Sequence, residues 1–219
     1  MTLKKLIAAA GGLALLLSPL LAQAQSWPVT VKDLDNRTVT VEHEPQRIIL
    51  QDGRDIFALA LLERDNPFAK VVAWNNLPKK QDTETWNVLK RKWPEAEKIL
   101  DMKFSDQGNV DLETVISRQP DLMIAQLRAK PSLVQTGVLA KLDALHIPVI
   151  FVDYELHPVE NTLPSIALLG KVMGQTARAQ AYIDFYQQRL DRIHQRLATT
   201  SKKPLVFIEP IAGVGGLDN

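Results

Sequence analysis

Hydrophobic and polar positions change their spacing several times along this chain, and each change marks an element. In residues 27–41 apolar and polar residues alternate, with Val29, Val31, Val39 and Val41 repeating on either side of Asp35-Asn36-Arg37. Period-two alternation about a turn-forming Asp-Asn pair predicts a β-hairpin. Residues 47–50 then read as a short apolar strand, and Gln51-Asp52-Gly53-Arg54 breaks it. Ile56, Phe57, Leu59, Ala60, Leu61 and Leu62 carry a helix to a polar turn at 63–67, and a second strand, 70–74, ends at Asn75-Asn76. Strand, helix, strand with unbroken apolar strands predicts a parallel βαβ unit with a right-handed crossover.

The next stretch, 77–108, is the least regular, with a helix predicted around 84–92 beside Trp86 and Trp93 and a loop holding Phe104 and Gln107. Order returns at Asp111, an N-cap candidate with Glu113 in the first turn and Leu112, Val115 and Ile116 on one apolar face. Pro120 stops that helix. Residues 122–125 are too few for another helix, so their continuous apolar character predicts a strand covered on both faces. Ser132 and Gln135 match a capping box, predicting a helix from Ser132 to about Leu145. His146-Ile147-Pro148 turns the chain into a further buried strand, 149–152. The fold class is therefore α/β, a parallel sheet built from βαβ units.

From Val159 to about Ala198 the pattern is helical, with a break at 170–175. Tyr182, Phe185, Leu190, Ile193 and Leu197 recur at near-helical spacing while Arg189, Arg192 and Arg196 lie elsewhere around the circumference. This predicts a long amphipathic helix. A linker at 199–203 leads to another apolar strand, 205–208, then Glu209-Pro210 and Gly213-Val214-Gly215-Gly216. That glycine run lacks the full dinucleotide fingerprint and reads as a turn.

Composition narrows the function. A net charge of +1 over 219 residues, with no long Lys/Arg run, argues against nucleic acid as a partner. Lys4 and Lys5 precede an apolar run at 6–21 that ends in Ala22-Gln23-Ala24, which predicts a secretory signal, residues 1–24, cleaved after Ala24. The run is short for a membrane span and contains Gly11, Gly12 and Pro19. The chain has no cysteine. Disulfides, thiol catalysis and a lipid-modified cysteine drop out, so the expectation is a free, monomeric protein of the periplasm with no membrane anchor. His43, His146, His157 and His194 are isolated, and no nucleophile elbow or phosphate loop is present, so neither a protein-bound metal nor a cofactor is expected.

Parallel α/β sheets bind ligands beyond the carboxyl ends of their strands. Applied to the four predicted strands, that rule selects Gln51 to Arg54, Trp74 to Asn76, Gln126 to Arg128 and Asp153 to Glu155. It brings together Arg54, Trp74, Arg128 and Tyr154, a cationic and aromatic set suited to an anionic ligand bearing rings, catecholates or carboxylates. Each has a plainer reading. Arg54 could pair with Asp52 or Asp55, Arg128 could be a solvated loop residue, and a Trp at a strand end is often core.

The order of landmarks resembles a known family. Asn109-Val110-Asp111-Leu112-Glu113 followed by Gln119-Pro120-Asp121-Leu122-Met123-Ile124-Ala125, with Pro45-Gln46-Arg47-Ile48 after the hairpin, is similar to periplasmic substrate-binding proteins that deliver iron complexes and cobalamin to ABC importers. The resemblance implies an N-terminal ligand-binding lobe at 25–158, a connecting helical segment at 159–199 with a rigid backbone helix, and the first strand of an incomplete C-terminal lobe at 204–219. It implies a ferric siderophore or similar iron chelate as ligand, with haem, cobalamin or ferric citrate within the same family. The partner it implies is an inner-membrane permease, against which Glu113 would dock; the same Glu also suits the helix dipole. Phe104 and Gln107 fall in a loop that contacts ligand in relatives, and Glu95 and Glu97 are further docking candidates. Two other classes stay open: an exported enzyme using Asp153 or Glu209 as acid or base, and a non-functional or partner-dependent fragment.

Overall fold

The computed structural model describes residues 26–102 and 110–201, together with Leu205. The expected signal at 1–24, Phe104, Gln107, the strand at 205–208, Glu209 and the glycine run therefore lie outside the described residues, apart from Leu205 itself.

The hairpin forms as β1 (Val29–Lys32) and β2 (Thr38–Val41), paired antiparallel. Its turn is organised by Asp33, which accepts hydrogen bonds from the Asp35 and Arg37 amides at 3.0 Å each. Arg37 returns to Asp33 at 2.6 Å, donates to the Val149 carbonyl at 2.6 Å and lies 4.5 Å over the Phe151 ring. One guanidinium thus docks the hairpin on the sheet.

That sheet is wholly parallel. Its strands are β3 (Ile48–Leu50), β4 (Val71–Trp74), β5 (Leu100–Asp101), β6 (Leu122–Gln126) and β7 (Val149–Val152), in the order β5-β4-β3-β6-β7. β3 sits centrally, with Leu50 opposite both Trp74 and Ile124. β5 is the strand the sequence pattern did not predict; two residues are too few to show a period. β3, β4 and β7 are apolar throughout, and β6 is apolar up to Gln126, because helices cover both faces. Ile48, Leu50, Leu122, Ile124, Ile150 and Val152 face one layer, and Ile49, Ala73, Met123, Ala125, Val149 and Phe151 the other.

The helices of the first layer are α1 (Ile56–Leu62), α3 (Thr83–Lys92), which follows the short α2 (Leu77–Gln81), and α7 (Pro158–Val172). Those of the second are α4 (Leu112–Ile116), α5 (Lys130–Gln135) and α6 (Val138–Ala144). Asp111 caps α4 by accepting from the Thr114 amide at 3.1 Å. Asp121, just past Pro120, accepts from the Gln46 and Arg47 amides at 2.8 and 2.9 Å, so the two sequence landmarks meet in space.

The single helix expected from Ser132 to Leu145 is instead two, and Ser132 is not a cap. Pro131 sits in the first turn of α5, which starts at Lys130 from a 3-10 turn, and the buried Ser132 hydroxyl has no partner among the described residues. Gly137, at φ 73°, ends that helix in the left-handed region and starts α6.

The long amphipathic helix is α8 (Thr176–Leu197), which spans about 33 Å at 1.5 Å per residue. It turns back from α7 through Gly174, at φ 68°. Gly170 lets the two helices close up, since a Cβ there would lie 2.3 Å from the Ala179 Cβ. Arg178 ties α8 to the Leu62 carbonyl. Beyond Tyr186 the helix leaves the lobe, with Ile193 and Leu197 half exposed among the described residues.

Candidate functional site

The carboxyl ends of β3, β6 and β7 deliver three short segments to one rim. Leaving β3, the chain makes a 3-10 turn, Gly53–Asp55, capped by Asp52, whose carboxylate accepts from the Arg54 amide at 2.9 Å. Gly53 is required there: a Cβ would sit 2.1 Å from the Asn75 carbonyl oxygen at the end of β4. Gln51 extends the ladder with its side chain, accepting from the Gln126 amide at 3.1 Å. Gln126 in turn donates to Asp55 and accepts from the Tyr154 amide at 3.4 Å. The exit segment of β7 is fixed by Asp153, which accepts from the amides of Glu155, Leu156 and His157 at 3.0, 2.8 and 3.1 Å and from the Asn161 amide group at 2.7 Å.

Arg54, Arg128 and Tyr154 come together on this rim as expected, but the two cations arrive already paired. Asp52, whose side chain is 1% exposed, accepts from Arg54 at 2.6 Å and from Arg128 at 2.8 Å. On the solvent side Glu155, 36% exposed, pairs with Arg54 and, at 2.5 Å, with Arg128. The four groups form a closed square of alternating charge. Burial pushes the Asp52 carboxyl up, but hydrogen bonds from the Arg54 side chain and amide, with the charges of Arg54 and Arg128, bring it below its ordinary value. The hydrogen bond to Asp52 raises the Arg54 guanidinium in return, against the opposing effect of burial. The Arg54–Asp52 pair is the plainer alternative that the sequence offered for Arg54; Glu155 stands in the same set of exit segments and was legible there as the second counter-charge.

Beneath the square lies a cavity of about 520 Å³ between the sheet, α1, α7 and α8. Phe57, Leu61, Ile166 and Tyr182 give it apolar walls, and Asp55 and Tyr154 its polar floor. Burial, reinforced by the nearby Asp52 charge, pushes the Asp55 carboxyl well above the ordinary range. Burial and the adjoining Asp55 push the Tyr154 phenol up as well. The Asp55 Oδ2 and the Tyr154 hydroxyl are both buried and have no hydrogen-bond partner among the described residues. A second cavity, of about 610 Å³, opens at the opposite end of the sheet beside β2, Pro120 and His146.

Trp74 does not join the rim. Its side chain is fully buried, edge-on to Phe68 at 5.5 Å and tilted against Trp86 at 5.8 Å, so its place is the core beneath the site rather than a ligand contact. Asp153 is also spoken for. Burial would raise its carboxyl, but the Asn161 hydrogen bond and three backbone amides hold it below the ordinary value, which suits a turn anchor and not an acid or base. Glu113 stands on the surface of α4, 90% exposed, with a 3.9 Å approach from Lys141 among the described residues. No group of three or more metal-ligating side chains occurs among the described residues, and no helix among them is long and apolar enough to cross a membrane.

The family model for periplasmic binding proteins matches residues 59–215: this chain belongs to that family. Among relatives, it is 28% identical over 192 residues to the uncharacterized ABC transporter substrate-binding lipoprotein YvrC of Bacillus subtilis (strain 168), covering 85% of this chain and 54% of the relative. Among solved structures, the TroA-like periplasmic binding protein FepB from Veillonella parvula superposes with a TM-score of 0.73 at 24% identity, over 80% of this chain and 51% of that one. The siderophore-binding protein BauB, bound to a complex of two acinetobactin molecules and ferric iron, gives 0.53 at 17% identity, over 81% and 57%. The chain thus spans about half the length of the proteins it matches.

Proposed function

We propose that this protein is a periplasmic solute-binding component of an ABC importer that captures a ferric siderophore or similar iron chelate and delivers it to the inner-membrane permease. On this reading 25–158 is the ligand-binding lobe, α8 is the stiff connector, and 204–219 begins a second lobe. The protein reaches the periplasm through a cleaved signal peptide, works there as an unanchored monomer and makes or breaks no bond. Family membership supports the receptor role. The observation that carries the ligand class is the convergence of Arg54, Arg128 and Tyr154 beside a 520 Å³ cavity with aromatic walls. Guanidinium groups recognise carboxylate and catecholate oxygens in pairs, and aromatic walls accept the flat rings that carry them. The chelator holds the iron, so the protein need not supply metal ligands. Glu113, 90% exposed, is the group to meet a basic patch on the permease.

Calorimetric titration of the full chain with ferric tris-catecholate, ferric citrate, haem and molybdate tests the reading. Stoichiometric binding of a ferric chelate is expected, weakened about tenfold to a hundredfold by Arg54→Ala, the loss of a charge-assisted hydrogen bond. Glu113→Ala leaves that affinity intact and lowers uptake by cells. Turnover of a substrate, or silence with every ferric chelate, overturns it.

A further inference from the structure

The two carboxylates of the charge square are not equivalent. Asp52 is buried, and it is built into the fold as the cap of the Gly53–Asp55 turn and as acceptor for both guanidinium groups. The Glu155 side chain is 36% exposed and its ion pairs among the described residues are to the two arginines; its backbone is held by Asp153, so its side chain can swing out while the loop stays put. Its two carboxylate oxygens are divided between the arginines, Oε1 to Arg54 and Oε2 to Arg128. That is how a bound carboxylate or a pair of catecholate oxygens would meet the same groups.

We infer that Glu155 is an internal stand-in for the ligand: its carboxylate occupies the oxyanion position between Arg54 and Arg128, and an incoming anionic group takes that position by displacing it. This rests on the reading of the rim as the ligand site. Asp52 remains in place throughout and aims the two cations. The square then explains how two arginines can stand at an open rim without staying unpaired when the site is empty. It also makes Glu155 the residue that sets the affinity threshold, since a ligand must compete with a carboxylate tethered beside the site.

The test uses the full chain, iron-free citrate and ferric citrate as probes, and calorimetry at low ionic strength. Glu155→Gln keeps the shape and removes the competing charge, and it is expected to bind citrate at least about tenfold more tightly than the parent chain. Adding Arg128→Ala to Glu155→Gln should abolish that gain, which locates the anion between the arginines; matching thermal melts check that each variant is folded. Equal or weaker citrate binding by Glu155→Gln overturns the inference, as does a gain that survives Arg128→Ala. The outcomes separate the two claims. A citrate gain in a protein that ignores ferric citrate and ferric catecholate upholds the role of Glu155 and removes iron chelates as the ligand class. Ferric chelate binding that is indifferent to Glu155→Gln does the reverse.

Discussion

Gly53→Ala puts a single methyl group between the β3 exit turn, which carries Asp52 and Arg54 to the rim, and the loop that follows β4. The new Cβ would lie 2.1 Å from the Asn75 carbonyl oxygen, 3.1 Å from its carbon and 3.3 Å from the Leu77 nitrogen. Carbon and oxygen come no closer than about 3.3 Å in ordinary contact, so the loops must part by about 1 Å. Neither can do so freely. Asn75 donates to the Leu50 carbonyl at 3.1 Å, and its own carbonyl accepts from Leu77 at 2.6 Å. Overpacking of this kind costs about 1–3 kcal/mol, and a strained or lost hydrogen bond adds about 1 kcal/mol. Alanine recovers about 0.4–1 kcal/mol by restricting the unfolded chain. The net is a destabilisation of about 1–3 kcal/mol, or a Tm lower by very roughly 3–10 °C for a chain of this size. In urea the midpoint should fall with an unchanged slope. Because the displaced turn carries Asp52 and Arg54, chelate affinity should fall as well in protein that is still folded. Gly137→Ala is the control: nothing lies within 4 Å of its Cβ, so only the strain of φ +73° is felt, about 1 kcal/mol, and the site is untouched. A Gly53→Ala protein of parental stability and affinity would refute this account of the rim.

Three further outcomes follow from the same geometry. Gly170→Ala should destabilise by about 1–3 kcal/mol through its 2.3 Å approach to the Ala179 Cβ, and Ala179→Gly should recover most of that loss; denaturation of both single variants and the double variant measures the coupling, and simple additivity would contradict the close contact. Trp74→Phe should cost about 1–3 kcal/mol as a core truncation while chelate affinity stays within about twofold of the parent, whereas a large affinity loss in folded protein would return Trp74 to the ligand site. Asp55→Asn should raise the Tm at pH 8 by an amount that shrinks toward pH 4. The folded-state carboxyl titrates well above the unfolded value of 3.8, so its stabilising contribution is complete below that pH and is lost as pH rises through the folded value; a pH-independent difference in Tm would contradict it.

What the sequence could disclose depended on how far apart the deciding residues stand. Pro120 and the apolar run behind it are neighbours, and the strand they predict is β6. Asp111 caps a helix three residues away, and it does so as expected. Ser132 and Gln135 have the right spacing for a cap, but Pro131 already fixes the first turn and moves the start forward to Lys130. At the site the strand-exit rule, which follows from the parallel topology alone, anticipated that the segments after β3, β6 and β7 share one rim. It could not say which side chains would be covered. The burial of Trp74 is decided by Phe68 and Trp86 from two other elements, and the pairing of Arg54 with Glu155 spans 101 positions in sequence.

That distant pairing changes what an arginine at the rim means. Two unpaired guanidinium groups beside an apolar cavity would be costly to hold together in the empty state, since they repel each other and are partly withdrawn from water. Asp52 alone offsets one charge, and Glu155 the other. On the proposed reading of the rim, ligand affinity is the difference between two ion-pair arrangements rather than the full strength of either, and a ligand with one isolated negative oxygen gains little over Glu155. A chelate that presents several anionic oxygens on one rigid frame can satisfy both guanidinium groups at once and still fill the aromatic cavity below, which favours multidentate, ring-bearing ligands over small monoanions.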